Sequence, residues 1–236
     1  MTWGNPFATA ADRYAAGRPY HHERTLRRAL ADRPGSALDV ACGTGLSTRA
    51  LAALGIPALG LDPVPAMVAR ARADTGLVFL VGAAEALPVR DGSVDLVAVS
   101  SGVHWFDQDR FAAEAARVLR PGGALLLYEH AAPTLPDGRF TDWMRGTYLR
   151  RYPSPPRGPM ADVFDGRGRF RVEASDRWSD EVRFDRAGFA AYLLTQSNLL
   201  GEEPEPVRAW LLGELVPFFP GEKAVTFTAS YRRLRS

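Results

Sequence analysis

The chain of 236 residues is poor in cysteine and lysine, and it contains no long apolar run. Its one cysteine, Cys42, excludes an internal disulfide framework and a zinc site with four cysteine ligands. We expect Cys42 to be a small packed side chain rather than a nucleophile, because no base is adjacent to it. No stretch reaches the roughly 18 apolar residues of a membrane span, and the polar N-terminus lacks the apolar core of a signal peptide. We therefore expect a cytoplasmic protein with no membrane partner.

The charge of the chain does not indicate a nucleic-acid partner. The formal net charge is +2, and Lys223 is the only lysine. Arginine in place of lysine is what high-GC codon usage produces, and no basic block is present. We expect a small-molecule substrate, no nucleic-acid partner, and a monomer or homodimer.

Length and composition predict one domain. With 46% hydrophobic residues, a chain of this size buries one sizeable core. We expect a single domain over residues 1–236, with an N-terminal helical cap over about 1–34, a core over about 35–130, and a lid with C-terminal strands over about 131–236.

The most informative segment runs from Ala37 to Asp62. An apolar run is followed by a turn with Gly43 and Gly45 and then by apolar residues at helical spacing. This pattern predicts a strand, a tight turn and a helix, in which glycine lets backbone N–H groups approach a ligand closely. A second strand ends at Asp62, where a carboxylate can accept hydrogen bonds from ribose hydroxyls. Thr48 replaces the third glycine of a dinucleotide fingerprint, which argues against NAD or FAD.

The acid and small residues of this turn resemble motif I of the class I S-adenosylmethionine-dependent methyltransferases. The match is Asp39, Ala41, Gly43 and Gly45, with alanine where the family usually has its first glycine. Three later segments resemble the family's third strand and adenine loop, fourth strand and fifth strand, in the right order: Val78–Pro88, Asp91–Ser100 and Val118–Leu127. Two further groups narrow the resemblance to type 11 members, similar to trans-aconitate and ubiquinone/menaquinone methyltransferases: Tyr14, Arg18 and Pro19 near the start, and His104–Asp107 after strand four.

The resemblance implies an α/β fold, a Rossmann-like doubly wound sheet of seven strands with the last antiparallel, N-terminal helices and a small lid. Periodicity and turn residues predict the remaining elements. In the first half of the chain, the predicted helices are two within Asn5 to Ala31 with a break at Pro19, one whose first turn contains Pro63, and one containing Phe111 to Leu119 and ended by Pro121–Gly123. In the second half, they are a helical stretch from Phe140 to Arg151, a helix capped by Asp185 and ending near Leu194, and a helix from Glu205 to Val216. The sixth strand is predicted from Trp178 to Phe184 and the last strand from Ala224 to Tyr231.

The resemblance implies S-adenosylmethionine as cofactor and S-adenosylhomocysteine as product. Asp39 would receive the methionine ammonium directly or through water. Gly43 and Gly45 would let the turn pass beneath the methionine and ribose, and Asp62 would take the ribose hydroxyls. Met67 would pack on the adenine, or would simply be helix core. The expected cofactor-binding residues are Arg18, Asp39, Ala41, Gly43, Thr44, Gly45, Asp62, Pro63, Met67, Ala83, Ala84, Glu85 and Ser100.

The adenine loop departs from the family pattern. Many relatives carry an aspartate where this chain has Ala83, so the adenine contact would come from loop backbone groups or from Glu85. Alternatively, Glu85 is a solvated loop acid or a helix cap.

The candidate catalytic and substrate-binding residues are Tyr14, His104 and Trp105. His104 follows the fourth strand at the sheet edge where ligands bind, so it could act as a base, orient the substrate, or only orient its own loop. Trp105 with Phe106 would form an apolar wall, one of the two lying in the core. Tyr14 and Arg18 would close the pocket, with Arg18 pairing with a carboxylate, or they would be an ordinary amphipathic helix face.

These observations predict that the protein is a small-molecule methyltransferase acting on an O, N or C acceptor. An arginine-rich lid favours an acidic or natural-product acceptor: Arg145, Arg150, Arg151 and Arg157. The alternative is a cyclase or another non-methylating enzyme that binds S-adenosylmethionine on the same fold. No feature indicates a metal.

Overall fold

The computed structural model describes residues 7, 9–18, 21–73, 76–155, 164 and 169–235. The chain divides into two compact units. The first comprises Met1–Tyr20, Ala131–Pro156 and Ser179–Thr228, and the second comprises His21–His130, Arg157–Trp178 and Ala229–Ser236. The predicted helix start at Asn5, the break at Pro19 and the lid residue Arg157 lie outside the described residues. The single domain over 1–236 stays a prediction.

The strands form one seven-stranded sheet with the order β3-β2-β1-β4-β5-β7-β6. Strand β1 pairs in parallel with β2 and β4, β2 with β3, and β4 with β5, whereas β7 runs antiparallel to β5. This topology confirms the predicted Rossmann-like fold. The strands are β1 (Ala37–Val40), β2 (Ala58–Asp62), β3 (Val78–Val81), β4 (Val94–Ser100), β5 (Leu119–His130), β6 (Arg171–Phe184) and β7 (Lys223–Arg235).

Two of the described helices precede β1, and the others lie between later strands. They are α1 (Ala11–Gly17), α2 (His22–Ala29), α3 (Leu46–Ala53), α4 (Pro65–Arg72), α5 (Gln108–Val118), α6 (Gly138–Trp143), α7 (Leu149–Arg151), α8 (Arg186–Leu193) and α9 (Pro204–Glu214), with a π-helical turn over Met144–Tyr148. The Asp185 side chain accepts a hydrogen bond from Gly188 N, so the predicted N-cap of α8 is confirmed.

Helix α4 begins later than predicted. Pro63 precedes it, Val64 is extended (φ −95°, ψ 109°), and Pro65 is the first helical residue. The ring of Pro65 disfavours a helical conformation at Val64, and a proline at the first helical position sacrifices no hydrogen bond. Placing Pro63 in the first turn was therefore wrong.

The junction of α5 and β5 also differs from the prediction. Leu119 pairs with Val94 of β4, and Ala124 pairs with Leu96, so the chain bulges between these two pairs. The Pro121–Gly123 segment forms this bulge inside β5, with Gly122 at φ +78°, instead of ending a helix that contains Leu119. Strand β6 likewise begins at Arg171, seven residues before the predicted start at Trp178.

Alternate side chains of β4 point to opposite faces of the sheet, and helices pack against both faces in the second unit. Val97 and Val99 of β4 pack in one apolar cluster with Phe111 of α5. Leu96 and Ala98 pack in another, with residues of α2 and α3. The first unit has its own core, rich in aromatic side chains that include Phe140, Trp143, Phe189, Tyr192, Phe218 and Phe227. In the described part of the chain, none of the helices has the length and apolar character needed to cross a bilayer.

Candidate active site

The turn between β1 and α3 depends on left-handed backbone conformations. Gly43 has φ 55° and Gly45, the residue before α3, has φ 82°. A Cβ atom on Gly45 would lie 2.8 Å from the ring of Phe79, so this position requires glycine. Ala41 also has positive φ, 57°, although its Cβ makes that conformation costly by about 1–2 kcal/mol. The residue that departs from the usual motif is thus held in a glycine-like conformation.

Asp39 is a fully buried carboxylate at the end of β1. Its Oδ2 atom accepts hydrogen bonds from Ser47 Oγ and Thr48 Oγ1, both at 2.6 Å. Its Oδ1 atom is buried and has no hydrogen-bond partner among the described residues. Burial raises the pKa of Asp39 to about 6, although the two hydroxyl hydrogen bonds lower it. A buried carboxylate with one open oxygen suits a cationic donor.

Asp62 ties the end of β2 to the glycine turn. Its Oδ2 atom accepts from Gly43 N and its Oδ1 atom from Val64 N, each at 2.9 Å. Burial raises the pKa of this carboxyl, and the two backbone hydrogen bonds counteract the rise. Each carboxylate oxygen still has a second acceptor position. Asp62 can therefore hold the turn in place and accept hydroxyl groups of a ligand.

The turn carries two more buried side chains. Thr44 Oγ1 is buried without a hydrogen-bond partner among the described residues. Cys42 packs with Val68, Ala71 and Phe79, as expected for a small core residue. Burial raises the pKa of its thiol, which keeps it protonated and unreactive.

The residues expected around the adenine have contrasting environments. Pro63 and Ala83 are exposed, whereas Ala84 belongs to the apolar core. Met67 is only 2% exposed in the first turn of α4. Glu85 Oε1 accepts a hydrogen bond from Asp107 N at 2.8 Å, just before α5. That contact corresponds to the capping alternative for Glu85.

A cleft of about 460 Å³ opens at the carboxyl ends of β4 and β5. Ser101 and His104 line it, and Ser101 has a left-handed backbone (φ 54°). The Ser101 hydroxyl is buried and has no partner among the described residues. Strained backbone of this kind is concentrated at functional sites. The other lining residues are Val99, Val103, Leu127, Tyr128, Glu129, Ser175, Asp176, Arg177, Ser230, Tyr231 and Arg232.

The aromatic residues after β4 divide between surface and core. Val103–Trp105 forms a 3₁₀ turn in which the rings of His104 and Trp105 are 5.0 Å apart. Trp105 is 49% exposed, whereas Phe106 packs against Phe111 with ring centroids 4.9 Å apart. Phe106 is therefore the core member of the predicted pair, and Trp105 lies at the surface beside a cleft-lining histidine.

Charges of both signs line the cleft. Arg177 and Arg232 contribute cations, and Glu129 and Asp176 contribute carboxylates. Asp176 pairs with Arg28 at 2.7 Å, which holds the pKa of that carboxyl below its usual range. The cleft therefore has no single charge preference.

Tyr14 and Arg18 belong to the first unit and contact each other there. The Arg18 guanidinium lies 4.6 Å from the centre of the Tyr14 ring and donates to Thr195 O at 2.9 Å. In the same unit, Arg151 stacks on Trp210 at 4.8 Å. The roles of Tyr14 and Arg18 towards the cofactor or the substrate stay predictions.

Sequence reasoning missed the side chains that support Asp39. Ser47 and Thr48 follow it by eight and nine residues. Hydroxyl residues in the first turn of the helix that follows a glycine turn are a local signal that could have predicted these contacts. The Tyr128 hydroxyl lies 3.0 Å from His22 Nδ1, and these two residues are separated by 106 positions and carry no local signal.

Comparison with known proteins agrees with this architecture. Residues 38–127 match the type 11 family model, described as a methyltransferase domain. An uncharacterized methyltransferase of Mycobacterium tuberculosis is 32% identical over 194 residues, covering 80% of this chain and 78% of that protein. A demethylmenaquinone methyltransferase of Beutenbergia cavernae is 37% identical over 180 residues, covering 72% and 70%. A solved structure from Anaeromyxobacter dehalogenans, provisionally named a type II methyltransferase, superimposes with a TM-score of 0.68 at 26% identity, covering 89% and 93%.

A seven-stranded sheet with a glycine turn and acids at the ends of its first two strands is the arrangement found in α/β enzymes that bind nucleoside-containing cofactors. The chain belongs to the type 11 group of the class I methyltransferase family. The predicted family and enzyme class are thereby confirmed. Use of S-adenosylmethionine is general in this family.

Proposed function

We propose that this protein transfers the methyl group of S-adenosylmethionine to an O, N or C atom of a small-molecule metabolite. The observation that carries the proposal is Asp39, a buried carboxylate with one oxygen open beside a turn of left-handed residues. A buried anion of this kind needs a cation or another donor as its partner. The α-ammonium of the cofactor's methionine part supplies such a group.

The residues around the turn fit the other parts of the cofactor. Asp62 would accept the ribose hydroxyls, and the open Thr44 hydroxyl adds a further polar atom. Buried Met67 and exposed Pro63 would bound the adenine, with the loop of Ala83, Ala84 and Glu85. We also propose Ala41, Gly43, Gly45, Ser100 and Arg18 as cofactor-binding residues, because the family pattern implies these positions.

When bound, the cofactor supplies an electrophilic methyl group on a sulfonium centre that is already a good leaving group. The protein's own contribution is mainly alignment, and effective molarity from alignment supplies about 7–11 kcal/mol of a barrier. A rigid turn held by Asp62 and a buried Asp39 are suited to that task.

We assign the acceptor to the cleft lined by Ser101 and His104. His104 would take the proton of an acceptor hydroxyl or amine, since imidazole titrates near neutral pH. The exposed indole of Trp105 would cover an apolar part of the acceptor. Tyr14 stays a predicted substrate contact.

An acidic acceptor remains a prediction from the lid arginines. Arg151 is engaged by Tyr152 and Trp210, and charges of both signs line the cleft. Neither observation favours an acid over a neutral acceptor.

The test is a transfer assay with S-adenosylmethionine labelled in its methyl group and a library of small-molecule acceptors. We expect label in a small molecule together with an equal amount of S-adenosylhomocysteine. A converted acceptor without S-adenosylhomocysteine would favour the cyclase alternative. Label found only in nucleic acid or protein would contradict the proposal.

A further inference from the structure

One hydrogen bond joins the expected adenine loop to the segment that carries His104. Glu85, in the loop between β3 and β4, accepts through Oε1 from Asp107 N at 2.8 Å. Asp107 ends the segment 102–107, which we call the acceptor turn because it contains His104 and Trp105. Asp107 is also the N-cap of α5. The Glu85 carboxylate therefore holds the point at which the acceptor turn passes into α5, and all of these residues lie within the second unit.

The remainder of the adenine loop is attached to the same helix. Leu87 N donates to Glu114 Oε2 at 2.8 Å, and Leu87 O accepts from Arg117 Nη2 at 2.9 Å. The Leu87 side chain packs in the apolar cluster that contains Phe111 of α5. Because α5 holds both backbone groups of Leu87, the loop and the helix are fixed to each other. The Glu85 contact extends this attachment to the acceptor turn.

The other end of the acceptor turn lies against the glycine turn. A Cβ atom on Gly102 would lie 2.8 Å from Ala41 Cβ, so a side chain does not fit at this position without displacing Ala41. Ala41 itself has the left-handed φ of 57°. A strained conformation of this kind persists where the surrounding contacts determine it. Both ends of the acceptor turn are thus in contact with loops that we expect to bind the cofactor.

We propose that Glu85 is a positioning residue that places the acceptor turn, and His104 with it, through its hydrogen bond with Asp107 N when the cofactor occupies the adenine loop. This inference rests on the proposed function. Methyl transfer depends mainly on the alignment of acceptor, methyl group and sulfur, so a displacement of about 1 Å at the acceptor turn would lower the rate strongly. An adenine that orders the loop also orders the Glu85 carboxylate. Cofactor binding should therefore order the acceptor turn.

A purely structural role for this hydrogen bond makes a different prediction. If the bond only supported the start of α5, its loss would loosen the acceptor turn equally with and without a ligand. Asp107→Pro removes the N–H donor, and proline fits the backbone because Asp107 has φ −69° and Phe106 is extended (φ −90°, ψ 155°). Asp107→Ala is the matched control, since both variants lose the capping side chain and only proline loses the N–H group.

The test is hydrogen–deuterium exchange of the full chain, measured by mass spectrometry with and without saturating S-adenosylhomocysteine. Peptides covering 38–48 report occupancy of the glycine turn, and peptides covering 102–106 report local opening of the acceptor turn. In wild type and in Asp107→Ala we expect the ligand to slow exchange in both segments. In Asp107→Pro we expect the slowing of 38–48 to persist, and the slowing of 102–106 to be reduced about 2- to 10-fold, as for the loss of one hydrogen bond.

Glu85 provides a second pair of variants. Glu85→Ala should reproduce the loss of slowing at 102–106, and Glu85→Gln should restore it because its amide oxygen can still accept from Asp107 N. Equal behaviour of the two Asp107 variants, with the slowing either kept or lost in both, would overturn the positioning role. So would a wild type in which the ligand slows 38–48 but not 102–106.

Should Asp107→Pro fail to fold, Glu85→Ala with undiminished slowing of 102–106 would overturn the positioning role. A wild type in which S-adenosylhomocysteine slows exchange in neither segment would overturn the proposed function, and this inference with it.

Discussion

Replacing Asp39 by asparagine should abolish cofactor binding and should remove the pH dependence of stability that comes from the buried carboxyl. The variant keeps an oxygen that can accept from Ser47 and Thr48, and it removes a charge that is fully buried. It also places an amide N–H₂ where the open Oδ1 atom lies in the wild type. Cofactor binding should be lost, because an amide donor cannot pair with an ammonium group.

The stability change follows from the pKa of Asp39, which burial raises from 3.8 to about 6. Because the folded-state pKa lies above the ordinary value, the carboxyl favours folding only while it is protonated. That contribution is complete below about pH 3.8 and is lost as the pH rises through about 6, at a total cost of about 3 kcal/mol. Asp39→Asn does not titrate, so its unfolding free energy relative to wild type should rise by about 1 to 2 kcal/mol between about pH 5 and pH 7.5.

Urea unfolding of both proteins at the two pH values measures this change. The constant cost of the buried amide cancels in the comparison, since it is the same at both pH values. A difference between the proteins that does not change with pH would refute the raised pKa. S-Adenosylhomocysteine binding to Asp39→Asn at wild-type affinity would refute the ammonium assignment.

Three further predictions concern the turn and the cleft. Gly45→Ala should lose about 2 kcal/mol or more of unfolding free energy, because the new Cβ atom clashes with the Phe79 ring. Gly122→Ala is the control, since Gly122 has a similar φ and open space around it, and it should lose only about 1 kcal/mol; equal losses in urea unfolding would contradict the role of the clash. Ala41→Gly should gain up to about 1 kcal/mol of unfolding free energy by releasing the strained φ, so a less stable variant in urea unfolding would contradict the strain. His104→Asn should lower kcat on the identified acceptor about 100-fold without changing S-adenosylhomocysteine affinity; an unchanged kcat would exclude a role as base.

Local sequence patterns were sufficient for a parallel sheet and the glycine turn, whereas the seven strands with an antiparallel last strand were implied by the family resemblance. Strand β1 and the turn that follows it are determined by an apolar run and by glycines that occupy left-handed conformations. The boundary errors arose where backbone sterics or pairing overrode the pattern. Pro65 delays the start of α4, and pairing of Leu119 with Val94 extends β5 backwards through a proline and two glycines.

The candidate site could be predicted only in part, because part of it depends on distant contacts. Asp39 and Asp62 follow from their places at the strand ends. The division between Trp105 and Phe106 is decided by Phe111, which only the folded chain brings to 4.9 Å from Phe106. The Tyr128 contact with His22 joins a helix and a strand 106 residues apart, with no signal in either segment.

The most direct test of the central claim is calorimetry of S-adenosylhomocysteine with wild type, Asp62→Ala and Asp95→Ala. Asp95 is a suitable control, since it pairs with Ser36 and Arg120 near the start of β4 rather than at its carboxyl end. We predict micromolar binding by wild type, a loss of about tenfold or more in Asp62→Ala, equal to some 1.4 kcal/mol, and affinity within about twofold of wild type in Asp95→Ala. Absence of binding by wild type, or equal affinity in all three proteins, would contradict the assignment of the cofactor site.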